Sequence, residues 1–419
     1  MWHWARSRLV GCLAAGASLA CLPCLAAEPA VSEARLLEFS VAERAAIAQH
    51  GPWPPPITRD ASNRLSGRPA AVAFGERLFA DPRLSAGGVV ACSSCHVPAQ
   101  GFVDGRALAA GQQSTHRHTP SVVNARYARW HGWGGESDSL WAASVRPLLD
   151  AAEMGPAERV VAERVRRHAD LRCGYRSATG RAPGPDDDSV VADLGKSLAA
   201  FLETLVSAPT PFDRFRDALQ RGDPYSAARY PVAAQRGLKL FLGEAGCALC
   251  HRGPLFTHGE FDKAGIPVRG ADGHHDWGRF SGVKALLASR YNLLSRHNDD
   301  ATRATALSTR HVVPDLESYG AFRVPGLRNV GKTPPYMHDG SLPTLDAVLR
   351  HYSTIDAVKL HIAAAHPHAE PGEPMPPRPT ASALRTLNLG ESQIADLLAF
   401  LHTLSAPLQP VKRPIVPCR

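Results

Sequence analysis

The sequence predicts a mainly α-helical protein with two domains of the same kind and many ordered loops. Several stretches repeat apolar residues at helical spacing, and few alternate apolar and polar residues as strands do. A helix-like stretch, a short loop and a Cys-x-x-Cys-His motif occur in that order twice, at Cys92–His96 and at Cys247–His251. The length of 419 residues suits two domains of ordinary size, and 35 glycines and 35 prolines are typical of extensive loops.

The N-terminus has the pattern of a secretory signal peptide. Arg6 and Arg8 precede an apolar run that starts near Leu9, and small residues end that run at Ala26–Ala27. We therefore expect residues 1–27 to be a signal peptide and the mature protein to be exported. The alternative is a membrane anchor. The apolar run is short for one, because a spanning helix needs about 20 apolar residues. No later segment is long and apolar enough to span, so we expect no stable membrane insertion.

Composition places the chain among globular proteins, with 44% hydrophobic and 21% charged residues. The formal net charge is +8, to which Arg6 and Arg8 of the signal peptide contribute. The remaining basic residues are spread along the chain without a Lys/Arg block, so we expect no nucleic-acid binding. An acidic protein partner is compatible with this charge.

Helical patterns suggest where the two domains meet. The stretch Val190–Pro209 carries apolar residues on one helical face and closes the first domain, which we place at residues 28–210. The second domain then covers residues 211–419 and ends with the amphipathic stretch "ESQIADLLAFLHTLSAP". Within it, residues 268–318 or thereabouts are polar and rich in His and Arg, which indicates an inserted loop. Loops of this kind often carry partner contacts.

Cys-x-x-Cys-His is the attachment signature of c-type haem. The two thiols form thioether bonds to the porphyrin, and the adjacent His presents a ring nitrogen to the iron from one face. Two such motifs in an exported chain predict two covalently bound haem c groups and two cytochrome c-like domains. One zinc site made from both Cys pairs, or two disulfides, are the alternatives. The predicted attachment residues are Cys92, Cys95 and His96 in the first domain and Cys247, Cys250 and His251 in the second.

The cysteines outside the two motifs fall into two groups, one within the predicted signal peptide and one in the exported protein. Cys12, Cys21 and Cys24 belong to the predicted signal peptide. Cys173 and Cys418 are the only exported cysteines outside the two motifs, and export makes a disulfide feasible. We therefore predict a Cys173–Cys418 disulfide that ties the C-terminal tail to the first domain.

Four segments of the chain together resemble a known family. The segments "GERLFADPRLS…CSSCH", "TPSVVNARYARWHGWGG…LLDAAEMG", "GCALCH" and "FRVPGLRNVGKTPPYMHDGSLPTLDAVLRHY" resemble, in order and spacing, the bacterial di-haem cytochrome c peroxidase/MauG family. The resemblance runs from about Phe74 to Leu404. It implies a mostly helical, periplasmic protein with a peroxidatic haem in the first domain, an electron-transfer haem in the second and a calcium ion between them.

The resemblance also implies roles for single residues. The family has a Trp between the haems, nine residues after the Asn of "TPSVVN", which is Trp133 here, with Trp130 as the nearby competitor. A distal Glu follows twenty residues later, which is Glu153. A carboxylate there would take a proton from peroxide and return it to the departing oxygen. We expect the first haem to be open at rest.

The sixth ligand of the second haem is implied to be Tyr352. The family places that ligand 17 residues after the second Pro of "PPY", and counting from Pro335 reaches Tyr352 rather than Met337. Peroxidases fed by small redox proteins usually have Met there, whereas MauG has Tyr. The sequence is therefore most similar to the MauG/MbnH-like branch, and Met337 is expected to be a packing residue beside His338.

Two departures from the family pattern stand out. Ala143 occupies a position where the family often has a distal Gln, so one polar group is missing. His118 occupies a position where the calcium site usually has Asn, and imidazole is a poor calcium ligand. Thr333 and Pro335 would still offer backbone carbonyls to a calcium ion.

The sequence is compatible with three functions. The favoured one is a periplasmic di-haem c-type oxidoreductase that reacts with hydrogen peroxide and oxidises a Trp or Tyr of a partner protein through a high-valent di-haem state. The alternative is a cytochrome c peroxidase that takes electrons from a small cytochrome c or a cupredoxin. The third is a non-enzymatic electron carrier. Tyr352 favours the first over the second, and Glu153 argues against the third. The expected partner is a periplasmic cytochrome c, cupredoxin or copper-binding protein.

Overall fold

The computed structural model describes residues 34–267, 275–355, 384–410 and 418. The predicted signal peptide at residues 1–27 lies outside the described residues, as does part of the predicted insertion. No helix in the described part of the chain is long and apolar enough to cross a membrane.

The described chain is mostly helical, as predicted. Its two strands are β1 (Phe261–Asp262) and β2 (Phe322–Arg323), which pair antiparallel with Phe261 opposite Arg323. Short 3-10 turns lie between the helices, among them Ala125–Tyr127, Cys247–Leu249 and Val330–Lys332. The α-helices are α1 (Val41–Ala48), α2 (Pro69–Phe79), α3 (Cys92–Cys95), α4 (Leu140–Leu149), α5 (Glu158–Arg167), α6 (Ala169–Thr179), α7 (Asp187–Leu202), α8 (Pro211–Gln220), α9 (Pro224–Ala228), α10 (Val232–Leu242), α11 (Arg279–Ala288), α12 (Leu307–His311), α13 (Leu345–Thr354) and α14 (Glu391–His402).

Two hydrophobic cores form, one around each Cys-x-x-Cys-His motif. The first core is built from α2 and α4 to α7, with α7 buried on nearly all of its faces. The second is built from α1, α8, α10, α13 and α14. Phe39 and Ile47 precede the first motif in sequence yet pack in the second core. The N-terminal segment thus crosses to the other half of the protein.

The internal repeat is visible in how two helix pairs cross. Gly75 of α2 lies against α7 so closely that an added Cβ would collide with the Ser197 carbonyl oxygen. Gly237 of α10 lies against α14 in the same way, where a Cβ would collide with the Asp396 carbonyl oxygen. A glycine is needed at each crossing because only a missing Cβ lets the backbones approach this far. Each half therefore presents its motif from the same kind of helix crossing.

The predicted insertion has more regular structure than its sequence indicated. Its described part contains α11 and α12, and Tyr291, Leu293 and Ala306 are buried in the first core. The buried Lys196 of α7 donates 2.6 Å hydrogen bonds to the His297 carbonyl oxygen and to Asp299. The stretch therefore packs across the first core rather than extending into solvent.

The predicted disulfide is confirmed. Cys173 on α6 is bonded to Cys418, with their Cα atoms 5.7 Å apart. Arg77 of α2 adds a 3.2 Å hydrogen bond to the Cys418 carbonyl oxygen. The end of the chain is thus fastened to the first core.

Candidate active site

One continuous cavity of about 1160 Å³ lies between the two cores. Both Cys-x-x-Cys-His motifs line it, together with Trp133, Glu153 and Tyr352. A site for one small ligand usually measures about 300–1,000 Å³, so this space suits more than one prosthetic group. The residues predicted as a site from sequence are thereby brought to the walls of a single chamber.

The two motif histidines are held in the same way. His96 Nδ1 lies 3.2 Å from the Phe102 carbonyl oxygen, and His251 Nδ1 lies 3.0 Å from the Phe256 carbonyl oxygen. Each bond orients the ring and leaves Nε2 for a metal, the arrangement found around metal-binding histidines. Burial lowers the pKa of both imidazoles, that of His251 to about 4, which keeps them in the neutral, ligating form.

The loops that supply these carbonyls are strained alike. Phe102 and Phe256 both have positive φ angles, 63° and 56°, which large side chains rarely adopt. Such strain costs about 1–3 kcal/mol and persists where the surroundings hold it, often at functional sites. In this left-handed conformation each phenylalanine directs its carbonyl oxygen to the ring of its motif histidine.

The four motif cysteines are not paired with one another as disulfides. The single group of metal-ligand side chains found among the described residues is Cys250, His258 and Asp262, so the two Cys pairs do not form one zinc site. Burial raises the pKa of Cys92 and Cys247 to about 12, which keeps these thiols protonated. With free thiols and a free Nε2 on the wall of one cavity, both motifs fit a haem.

Tyr352 lies on α13 at the second motif. Burial, with the nearby Cys247, Cys250 and Asp262, raises the pKa of its phenol. Its hydroxyl makes no hydrogen bond within the part of the chain that the structure describes. A metal would replace the phenolic proton and reverse this balance. The side chain thus lines the cavity beside the second motif.

Met337 also lines the cavity, but from a different loop. It has a φ of 73°, and the next residue, His338, accepts a 2.7 Å backbone hydrogen bond from His118. The His338 ring stacks on Phe322 with centroids 3.5 Å apart. This loop is therefore bound to the chain near His118, whereas Tyr352 lies on α13 near Cys247 and Cys250.

Trp133 is held between segments from both halves. Its indole Nε1 donates a 2.8 Å hydrogen bond to the His118 carbonyl oxygen, and its own carbonyl accepts one of 2.8 Å from the Arg323 backbone. Trp133 lines the cavity and is 9% exposed. Trp130 is buried elsewhere, with its Nε1 3.1 Å from Glu260 and the Arg279 guanidinium 4.4 Å above its ring. Of the two candidates, Trp133 is the one on the cavity wall.

Glu153 lies on the cavity wall near the first motif, and the sequence analysis missed its partner. Arg146 of α4 forms a 2.7 Å ion pair with Glu153, and both side chains line the cavity. Ala143 lies on the same helix one turn earlier and also lines it. Helical spacing from Ala143 would have indicated Arg146, because residues three apart share a helix face.

The residues near the expected calcium position offer a poor donor set. Calcium prefers six to eight oxygen ligands. The His118 carbonyl accepts from Trp133, and its Nδ1 lies 2.8 Å from the Arg106 carbonyl, so neither is free for a cation. Thr333 and Pro335 line the cavity, and the Thr333 hydroxyl donates a 3.3 Å hydrogen bond to the Val330 carbonyl oxygen.

A cation of the chain itself lies beside His118. Arg117 is ion-paired with Glu136, and its Nε is 2.6 Å from Asp276 Oδ2. Although burial opposes it, these two carboxylates raise the pKa of Arg117. This cluster links residues before and after the second motif in sequence. Sequence reasoning missed it because its members are far apart along the chain.

Comparisons with known proteins agree with this geometry. Residues 69–221 match a family model described as di-haem cytochrome c peroxidase. The methylamine utilization protein MauG of Methylorubrum extorquens is 31% identical over 405 residues, which cover 96% of this chain and 95% of that protein. Cytochrome-c peroxidase IdrP1 of Denitromonas iodatirespirans is 32% identical over 363 residues, covering 84% of this chain and 85% of that protein.

A solved structure is also similar. It is a MauG-like protein associated with microbial copper homeostasis, 26% identical, with a TM-score of 0.59 over 85% of this chain and 96% of that chain. This chain belongs to the di-haem cytochrome c peroxidase/MauG family and is a haem-dependent peroxidase-type oxidoreductase.

Proposed function

We propose that this enzyme uses hydrogen peroxide to oxidise a Trp or Tyr side chain of a periplasmic partner protein. The main support is the position of Tyr352, which lines the cavity near Cys247 and Cys250. Peroxidases that take electrons from small redox proteins usually have Met at this position. An anionic phenolate lowers the potential of a haem iron relative to a thioether ligand. Such a haem is a poor acceptor of electrons from an ordinary cytochrome and a good store of oxidising equivalents.

The partner residue supplies the electrons and protons that reduce hydrogen peroxide. Hydrogen peroxide takes up two electrons and two protons and becomes two molecules of water. The partner residue loses two electrons and two protons. When bound, the haems supply the reaction with peroxide and hold the oxidising equivalents between the two half-reactions. Glu153 accepts a proton from one peroxide oxygen and delivers it to the departing oxygen.

Trp133 supports charge sharing between the two haem sites. Its ring lines the cavity, and its backbone and Nε1 are fixed by Arg323 and His118, respectively. A rigid indole reorganises little when it is oxidised and reduced. Trp133 is therefore suited to carry charge from the second site to the first.

The second site is the proposed entry for electrons from the partner. Leu249, which lies between Cys247 and Cys250, is 63% exposed. An apolar side chain at that exposure offers a contact for a partner protein close to the second haem. A copper-binding protein is one candidate class, since the MauG-like relative of known structure is associated with copper homeostasis.

Several observations support export and covalent attachment. The Cys-x-x-Cys-His motifs are typical of c-type haem, and the Cys173–Cys418 disulfide is typical of an oxidising compartment. We propose thioether bonds at Cys92, Cys95, Cys247 and Cys250 and a periplasmic location after removal of residues 1–27.

The decisive experiment adds peroxide to the oxidised protein in the absence of any reductant. We expect spectral changes at both haems and, with the partner present, a loss of mass from the partner that equals two hydrogens. A cytochrome c peroxidase, the second candidate, is favoured by the relatives that carry that name. It would instead consume a reduced small cytochrome or cupredoxin and leave the partner's mass unchanged.

A further inference from the structure

The backbone of Glu153 is fixed by hydrogen bonds at its N–H and at its carbonyl, and its side chain lines the cavity. The chain turns back after α4, with the Glu153 N–H donating 3.0 Å to the Asp150 carbonyl oxygen. Its own carbonyl accepts a 2.9 Å bond from the Gln112 backbone, and an added Cβ at Gly111 would collide with that same carbonyl. The carboxylate is thus carried on a rigid turn at the rim of the cavity.

Arg146 is the cation that faces this carboxylate. Its Nη1 lies 2.7 Å from Glu153 Oε1 and 3.4 Å from Asp150 Oδ2. Its Nε and Nη2 make no hydrogen bond within the residues that the structure describes. Because a guanidinium has five N–H donors in a rigid fork, Arg146 keeps donors to spare for a further acceptor in the cavity.

Arg146 stays charged throughout the accessible pH range. Glu153 foremost, and then Glu136 and Asp150, raise the pKa of its guanidinium although burial opposes the charge. The carboxylates thus favour the cation. A permanent positive charge near a proton-transferring carboxylate is suited to stabilise negative charge that develops on a nearby oxygen.

We propose that Arg146 is a catalytic residue that binds the outer oxygen of peroxide, in place of the polar side chain absent at Ala143. This inference rests on the proposed peroxide reaction. Glu153 takes the proton from the inner oxygen, the O–O bond breaks, and its electron pair goes to the outer oxygen. That oxygen accepts the proton from Glu153 while Arg146 donates a hydrogen bond to it, and it leaves as water. The inner oxygen, left two electrons short, would be held at the first haem and become the second water when the partner residue supplies two electrons and two protons.

A plainer role is available to Arg146, namely an ion pair with a haem propionate. The two roles differ in what they do to a small anion bound at the iron. Fluoride bound to a ferric haem accepts hydrogen bonds from groups above the iron, and a propionate partner does not touch it. Fluoride affinity of the oxidised holoenzyme is therefore a readout independent of turnover.

The test compares Arg146→Ala, Arg146→Lys and Arg146→Gln with a matched surface control, Arg159→Ala. Arg159 is 72% exposed on α5 and pairs with Glu163. We expect Arg146→Ala to weaken fluoride binding about 10- to 100-fold and to slow the reaction with peroxide about 100-fold. Lys and Gln keep a donor and should recover part of both. Arg159→Ala should match the unmodified enzyme.

A double-mutant cycle separates direct contact from an effect through Glu153. If Arg146 contacts the anion, Arg146→Ala still weakens fluoride binding in a Glu153→Gln background. The inference is overturned if all three Arg146 variants bind fluoride and react with peroxide within twofold of the unmodified enzyme, or if the effect vanishes in that background. Neither measurement uses a partner protein, so failure of the partner-oxidation proposal leaves this test intact.

Discussion

The indole Nε1 of Trp133 donates a 2.8 Å hydrogen bond to the carbonyl oxygen of His118. His118 in turn donates a 2.7 Å backbone hydrogen bond to the His338 carbonyl oxygen. A residue before the second motif is thus tied to a loop after it, and the indole is fixed in the wall of the cavity. This position suits charge transfer between two groups and needs no movement.

The first prediction concerns that indole. Trp133→Phe should slow oxidation of the partner about tenfold or more, which corresponds to a barrier increase of about 1.4 kcal/mol per factor of ten. Phenylalanine keeps the aromatic packing but is much harder to oxidise. The reaction with peroxide at the first haem should persist. Rapid-mixing spectroscopy and mass analysis of the partner measure the two steps separately.

Trp130→Phe is the matched control, because Trp130 is buried away from the cavity wall against Arg279 and Glu260. It should leave partner oxidation within about twofold of the unmodified enzyme. Equal effects of the two substitutions would remove Trp133 from its proposed role.

A second prediction concerns the covalent links. The intact mass of the exported protein should exceed that of the polypeptide by two haems, and Cys247→Ser with Cys250→Ser should remove one of them. Cys173→Ser with Cys418→Ser should retain both haems and lower stability by about 2–5 kcal/mol, measured by chemical unfolding. A protein with two free thiols at Cys173 and Cys418 would contradict the structure.

Local sequence patterns predicted much of the fold. The helical spacing in Val190–Pro209 predicted α7, and that of the C-terminal stretch predicted α14, with Ile394, Leu397 and Leu401 buried. The repeated motif predicted two domains of the same kind, and each motif follows a helix that crosses another helix at a glycine, Gly75 or Gly237. These features depend on residues close together in sequence, where periodicity is informative.

Contacts between residues far apart in the chain could not be predicted from the sequence. Nothing local in Tyr291 and Leu293 indicates that they pack in the first core, or that Phe39 packs in the second. The ion pair between Arg117 and Asp276 joins residues 159 positions apart, and such pairs have no spacing rule. Arg146 was within reach, because it shares a helix face with Ala143, but its ion pair with Glu153 depends on the turn that follows α4.

A third prediction is that the Arg117 cluster, rather than a metal, supplies the positive charge beside His118. Incubation with a calcium chelator should leave haem spectra and the peroxide reaction unchanged. Arg117→Met should lower stability by about 3–5 kcal/mol, because it leaves two buried carboxylates without a cation. The prediction would be wrong if the chelator abolished the peroxide reaction and added calcium restored it.

The same cluster should contribute to acid sensitivity. Although burial opposes it, Arg117 lowers the pKa of Glu136 and of Asp276 below their ordinary values of 4.5 and 3.8. A carboxyl whose pKa is lowered on folding stabilises the protein above its ordinary pKa and loses that contribution as pH falls through the folded value. The stability difference between the unmodified protein and Arg117→Met should therefore be constant near neutrality and shrink below about pH 4.

The last prediction decides between Tyr352 and Met337 as the second-haem ligand. Tyr352 lies on α13 near Cys247 and Cys250, whereas Met337 belongs to the loop that His118 fastens through His338. Tyr352→Phe should remove the sixth ligand, raise the potential of the second haem and abolish the spectral change that peroxide causes there, with both haems still attached. Tyr352→Met should convert the enzyme toward one that accepts electrons from a small cytochrome, because a thioether favours the reduced iron.

Met337→Leu, which conserves volume, is the control and should leave the ligand spectrum unchanged. Magnetic circular dichroism of the oxidised protein identifies the ligand, and potentiometry gives the shift. The opposite pattern, in which Met337→Leu removes the ligand and Tyr352→Phe does not, would assign the protein to the electron-fed peroxidases. In that case a reduced cytochrome, not a Trp or Tyr of a partner, would be the substrate that peroxide oxidises.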